Sequence, residues 1–248
     1  MALYAFPNNL MTLAGQGKVC RTLKIKFITS LEIIYIARNA GFHALFIDLE
    51  HSPLSLETAS HLCVTAMNAG LSPIARVPGQ AEPGFYTPSK YPPRGKRSVT
   101  GMLPHMGYRS APISDVSAVG NTQLSTVLVM IESPEAVASV DEIVAVEGVD
   151  VVLVGTNDLS IELGVAGDFD HPSFVESMQT LAVAVKRYGK ILGVAGIYNR
   201  PDLLRGYIHE LGARFVVGHV DLPMVAKAAG TTAEELVKGR SSSKSETA

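Results

Sequence analysis

The chain has 248 residues, about the length of one α/β barrel and more than a minimal domain needs. Its 21 basic and 23 acidic residues leave a net charge of -2, with no basic run before residue 239, which argues against nucleic acid or anionic membrane as partner. Hydrophobic residues make up 47% of the chain, yet no apolar stretch reaches the roughly 18 residues that a bilayer-spanning helix requires.

Cys20 and Cys63 lie far apart with no metal-ligand spacing, and the amino terminus lacks the basic-then-apolar pattern of a secretory leader. A reducing, cytoplasmic setting is expected, with Cys63 a buried thiol in a helical pattern.

In chain order, Val19–Ile28 alternates as a first strand, and Ser30 is placed to cap an apolar-periodic helix ending near Ala40-Gly41. A strand is expected at Ala44–Asp48, a helix from Ser55 to Asn68-Ala-Gly70, and a third strand at Ser72–Val77. The rhythm then fails from Gly79 to Gln123, where prolines and glycines from Pro83 to Gly120 interrupt every periodicity and Val99–Leu103 is the only candidate strand. So long an irregular stretch suggests a lid or binding loop. Regularity returns with a strand at Ser125–Ile131, a helix at Pro134–Ala145 and a strand at Val149–Val154. A helix at Pro172–Tyr188, a strand at Ile191–Ala195, a helix at Arg200–Leu211, a strand at Arg214–Val217 and a helix at Pro223–Val237 complete the pattern. This is α/β alternation with seven clear strands and a gap where an eighth would stand. Residues 1–239 read as one barrel domain and 240–248 as a disordered polar tail.

Three apolar runs end abruptly in acid or imidazole: Phe46-Ile-Asp-Leu-Glu-His51, Val127-Leu-Val-Met-Ile-Glu132 and Val151-Val-Leu-Val-Gly-Thr-Asn-Asp158. Such runs are strands buried on both faces, and their carboxyl ends are where parallel α/β folds collect their chemistry. Glu132 and Asp158 are 26 residues apart, about one strand-helix-strand period, so the two carboxylates are expected on neighbouring strands. Hard oxygen ligands suit Mg²⁺ or Mn²⁺, and two of them leave an open shell that an α-keto acid can fill. The ion would then stabilise the enolate formed when a carbon–carbon bond two carbons away breaks. The competing view makes both acids helix caps, as Asp158 would be before Leu159-Ser160.

His51, three residues after Asp48, stands where a carboxylate can fix one ring nitrogen and leave the other as a general base. Arg76 ends an apolar strand, so its guanidinium must face a carboxylate or a developing oxyanion. Gly155, Thr156 and Asn157 turn strand into helix and offer backbone N–H groups to a substrate carboxylate. Gly193 and Gly196 are positions where backbone could approach a ligand closely.

These residues, with Asp48-Leu-Glu-His-Ser-Pro53, Tyr91-Pro-Pro-Arg-Gly95, Val146-Glu-Gly-Val-Asp150 and Gly155-Thr-Asn-Asp-Leu-Ser160, resemble the HpcH/HpaI aldolase and citrate lyase family. The resemblance runs from about residue 9 to 236 and is nearest to the metal-dependent hydroxy-oxo-acid aldolases. It implies a (β/α)8 barrel of the phosphoenolpyruvate/pyruvate type. In it Glu132 and Asp158 hold the divalent metal, Arg76 contacts the pyruvate oxygen, and His51 with Asp48 moves the aldol hydroxyl proton. The implied substrates are a small keto acid and an aldehyde, and the implied assembly is a homo-oligomer joined through the last helices. Acyl-CoA lyases and macrophomate-type synthases share the enolate and stay as alternatives, as does an impaired member acting only as an assembly partner.

The chain departs from the family pattern twice. Met130 stands where members carry glutamine, and a thioether is at best a weak acceptor. Only 14 residues, 77 to 90, separate Arg76 from Tyr91, too few for the helix and fourth strand of a full barrel. The expectation is an incomplete barrel with two strand edges at the gap.

Overall fold

The coordinates, a computed structural model, describe residues 6, 8–78 and 90–242. Among them seven strands are formed: β1 (Cys20–Ile25), β2 (Ala44–Asp48), β3 (Ser72–Arg76), β4 (Leu128–Ile131), β5 (Val151–Gly155), β6 (Ile191–Ala195) and β7 (Phe215–Val220). All pair in parallel in the order β3-β2-β1-β7-β6-β5-β4, a curled sheet with no strand between β3 and β4 among the described residues. The incomplete barrel expected from the sequence is therefore the observed one, with each strand within three residues of its expected place.

The helices are α1 (Asn9–Gly15), α2 (Glu32–Asn39), α3 (Leu56–Asn68), α4 (Ile113–Val119), α5 (Pro134–Ala138), α6 (Val140–Ala145), α7 (Thr156–Glu162), α8 (Pro172–Arg187), α9 (Pro201–His209) and α10 (Asp221–Ser242). Ser55 caps α3 by accepting from the Thr58 N–H at 3.1 Å. Ser30 instead bonds the Glu32 carboxylate, and α2 starts without a side-chain cap. The helix expected over 134–145 breaks at Ser139 into α5 and α6. Helix α10 continues through residues 240–242 of the expected tail, and 243–248 lie outside the described residues.

Burial on both faces explains the apolar runs. Every residue of β2 and of β5 is buried. Alternate residues point inward: Cys20, Ala44, Phe46, Val151, Leu153, Phe215 and Val217 fill the barrel, and Leu10 of α1 joins them. Their neighbours point outward, Leu45 and Ile47 against α2 and α3, Val152 and Val194 against α8. Gly193 serves this packing, since a Cβ there would stand 2.8 Å from the Phe215 ring; it is a core residue rather than a ligand contact.

The same period of two brings different chemistry to the carboxyl rim. Cys20 and Thr22 lead to Lys24, Ala44 and Phe46 to Asp48, Ile74 to Arg76, Leu128 and Met130 to Glu132, and Val151 and Leu153 to Gly155. An apolar barrel filling thus ends in a ring of charge and one glycine.

Between β3 and β4 the described residues form a 3-10 turn at Pro104–Met106, α4 and a π-turn at Gly120–Leu124, and Val99–Leu103 is irregular. Tyr91, Met106 and Val116 give this segment its own small core. The Lys90 ammonium anchors it to Asp150, before β5, at 3.1 and 3.0 Å. Residues 79–89, where an improvised strand would fall, lie outside the described residues.

Candidate active site

The register of β2 on β3 sets Asp48 beside Arg76. Arg76 Nε donates to Asp48 Oδ1 at 2.9 Å and Nη2 to Oδ2 at 2.7 Å, a bidentate pair. Lys24 Nζ reaches the same Oδ2 at 2.7 Å from β1. The backbone N–H groups of Glu50 and His51 add bonds to Oδ1 at 3.2 and 3.1 Å. Asp48 is fully buried, and burial alone would raise its carboxyl; the bonds from Arg76 and Lys24 outweigh it and hold the group well below the usual carboxylate range. Burial likewise pulls the Lys24 ammonium below its ordinary value.

Sequence reasoning expects Asp48 to hold the His51 ring, but it holds the His51 backbone. The ring Nδ1 faces Arg76 Nη2 instead. A guanidinium has no acceptor, so Nδ1 accepts, and in the neutral ring the hydrogen sits on Nε2. Arg76 also meets Glu50 Oε2 at 3.1 Å and reaches across the gap to Met130 Sδ at 3.7 Å. The ligand atoms of Asp48, Glu50 and His51 lie within 4.8 Å of one another, as in a metal cage. Arg76 already supplies the cation at the centre of that group.

Glu132 directly follows β4, whose Ile131 pairs with Val154 of β5. A Cβ on Gly155 would lie 2.4 Å from Glu132 Oε1, so the missing side chain makes room for this carboxylate. That oxygen is buried and has no hydrogen-bond partner among the described residues. Asp158 stands in the first turn of α7. Neither acid is used as a cap: Ser133 accepts from the Ala136 N–H at 3.3 Å to start α5, and α7 follows Gly155 with no side-chain cap.

Burial raises the Glu132 carboxyl above its ordinary range, and the charge of Asp158 raises it further, while Arg76 and His51 pull the other way. The fold thus brings Glu132, Asp158, Arg76 and His51 into one electrostatic neighbourhood. A buried carboxylate oxygen without a partner, next to a second acid, is a donor set suited to a hard divalent cation. Thr156, fully buried, donates to the Ala195 carbonyl at 2.8 Å and braces this turn against β6, and Asn157 lies beside Gly196.

Sequence reasoning passed over Lys24, Glu50, Tyr198, His219 and Asp221. Lys24 was detectable as an inward position on the first strand, and Asp221 as an acid closing an apolar run. Asp221 Oδ2 accepts from the N–H groups of Lys26, Phe27 and Ile28 at 3.1, 2.9 and 2.8 Å, tying the rim after β1 to the start of α10. Tyr198 and His219 have no signal in sequence, because only the fold joins their rings.

Residues 84–228 match the family described as HpcH/HpaI aldolase/citrate lyase. The chain is 37% identical over 250 residues to a 4-hydroxy-4-methyl-2-oxoglutarate aldolase of Hapsidospora irregularis, covering 90% of this chain and 93% of that one. It is 35% identical over 257 residues to a 4-hydroxy-4-methyl-2-oxoglutarate aldolase of Chaetomium globosum, covering 93% and 96%. In fold it is similar to the crystal structure of an HpcH/HpaI aldolase from Desulfitobacterium hafniense, with a TM-score of 0.83 at 23% identity over 94% of this chain and 97% of that one.

Proposed function

The chain belongs to the HpcH/HpaI aldolase/citrate lyase family, and from that premise we propose that it cleaves a 4-hydroxy-2-oxo acid to pyruvate and a second carbonyl compound, with a divalent metal as cofactor. The observation that carries this reading is the buried Glu132 Oε1, which has no hydrogen-bond partner among the described residues and lies in the electrostatic fields of Asp158, Arg76 and His51. Glu132 and Asp158 would hold the ion, Mg²⁺ or Mn²⁺, which supplies positive charge for the pyruvate enolate.

The chain's own residues account for the remaining steps. Arg76 is aimed by Asp48 and donates to the keto oxygen at C2. His51 takes the proton of the C4 hydroxyl. The adjacency of Arg76 Nη2 and His51 Nδ1 suits two oxygens borne by carbons 2 and 4 of one substrate. Once the keto oxygen engages Arg76, Nδ1 is released to accept that proton. The C3–C4 bond then breaks and its electron pair passes into the C2–C3 enolate, which regains a proton at C3 to give pyruvate. The backbone N–H groups of Gly155, Thr156 and Asn157 serve the C1 carboxylate.

By the names of its two fungal relatives, 4-hydroxy-4-methyl-2-oxoglutarate is the first substrate to test. Purified protein with Mn²⁺ or Mg²⁺ should release pyruvate from it, detected by a coupled dehydrogenase, and chelation should stop the release. No pyruvate under either metal overturns the reading. In α10, the exposed Leu222, Val225, Leu236 and Val237 suit packing against a second copy of the chain, so a homo-oligomer is proposed and sedimentation tests it.

A further inference from the structure

The β6–α9 connection passes directly over the turn that carries Asp158. Gly196, at φ +110, lies so close to Thr156 and Asn157 that a Cβ would stand 2.4 Å from the Thr156 hydroxyl, so only glycine lets the loop cross there. Two residues later the Tyr198 ring lies flat on that of His219, with centroids 5.2 Å apart and planes 11° from parallel. His219 is turned by a bulge: the register of β1 on β7 passes from Thr22↔Val217 to Leu23↔His219 and skips Gly218. Bulges commonly re-aim a side chain beside an active site.

Both rings present donors. His219 Nδ1 accepts the Val220 N–H at 2.9 Å, which leaves the hydrogen of the neutral ring on Nε2. The Tyr198 hydroxyl bonds nothing among the described residues, although the residue is half-buried, and its phenol feels the charges of Arg76 and Asp48 on the opposite rim. An O–H and an N–H with no acceptor among the described residues match the paired oxygens of a carboxylate.

Resting on the aldolase reading, we propose that Tyr198 and His219 form the wall that recognises the far end of the substrate and selects a carbonyl partner bearing its own carboxylate. The second product would then be a keto acid rather than a simple aldehyde. The Arg76–His51 corner and the Glu132–Asp158 corner act on carbons 2 to 4, so selection at the far end falls to this third side of the mouth.

Tyr198→Phe keeps the ring stack and removes the O–H. Its kcat/KM on 4-hydroxy-4-methyl-2-oxoglutarate, divided by that on 4-hydroxy-2-oxopentanoate, should fall about tenfold, chiefly through KM. His219→Phe, which removes the Nε2 donor, should move the ratio in the same direction. Binding gives a second readout: with Mn²⁺, 2-oxoglutarate should raise the melting temperature more than pyruvate does, and Tyr198→Phe should erase the excess. A ratio and an excess both left intact by Tyr198→Phe overturn the proposal. If the wild-type chain releases pyruvate from neither substrate, the aldolase reading fails, and the melting comparison alone decides the role of Tyr198.

Discussion

Around β2 and β3 the buried Asp48 carboxylate meets Arg76, Lys24 and two backbone N–H groups, whereas around β4 and β5 Glu132 keeps a buried oxygen with no partner among the described residues. The first corner is complete within the fold, and its acid is held far below its ordinary range. The second is incomplete, and its acid is pushed above that range by burial and by Asp158. A satisfied buried charge aims its neighbours, and an unsatisfied one awaits a ligand. On this contrast we propose Asp48 as scaffolding for Arg76 and His51, and Glu132 with Asp158 as the receptor.

The largest effect that separates the corners is chemical. Glu132→Gln or Asp158→Asn should lower pyruvate release about 10³-fold, some 4 kcal/mol, in a coupled assay. The metal-free Glu132→Gln protein should nevertheless melt higher than wild type, because a charge opposed by its surroundings is gone. Next comes Asp48→Asn, which leaves Arg76 and Lys24 facing a neutral amide. It should cost about 3–5 kcal/mol of stability in urea titration, with or without metal. An Asp48→Asn protein as stable as wild type would erase the distinction drawn here.

Gly155→Ala is more subtle. Its Cβ would displace the Glu132 carboxylate while leaving the Asp48 corner untouched. Mn²⁺ affinity, read by titration, should weaken about 10–100-fold, the scale seen when the support of a metal ligand is disturbed. The smallest effect is a pH difference. A carboxyl whose folded pKa is raised, as in Glu132, adds stability below its unfolded value and loses it as pH climbs through the folded one. Asp48 is the reverse case, its contribution intact above the unfolded value of about 3.9 and lost only at strong acid. Acidifying metal-free protein from neutrality toward pH 5 should therefore narrow the melting-temperature gap between wild type and Glu132→Gln. The gap between wild type and Asp48→Asn should persist over the same range.

Much of this architecture was legible in the chain because parallel strands buried on both faces write themselves as unbroken apolar runs, as β2 and β5 do. Asp48, Glu132 and Asp158 were conspicuous for the same reason, each ending such a run. The pairing of those groups was not legible. Asp48 chooses Arg76 and Lys24 over the His51 ring because of the register of β2 on β3 and the reach of a lysine from β1, and neither is encoded locally. Gly193 looked like a ligand contact and proved to be space for Phe215, since a glycine does not announce which neighbour needs its emptiness. The break at Ser139 was hidden because the apolar period runs through it without a proline or glycine.

The seam between β3 and β4 has a mechanical consequence. Among the described residues, the strand carrying Arg76 and the strand leading to Glu132 are joined through the sheet by the long path over β2, β1, β7, β6 and β5, while the Arg76–Met130 contact spans the short way. Among the described residues the sheet is a split ring, and on the proposed reading its proton acceptor stands on one jaw and its cation ligands on the other. Flexing of the whole ring sets their spacing, so heat should spread the jaws and silence turnover at temperatures where the folded sheet still stands.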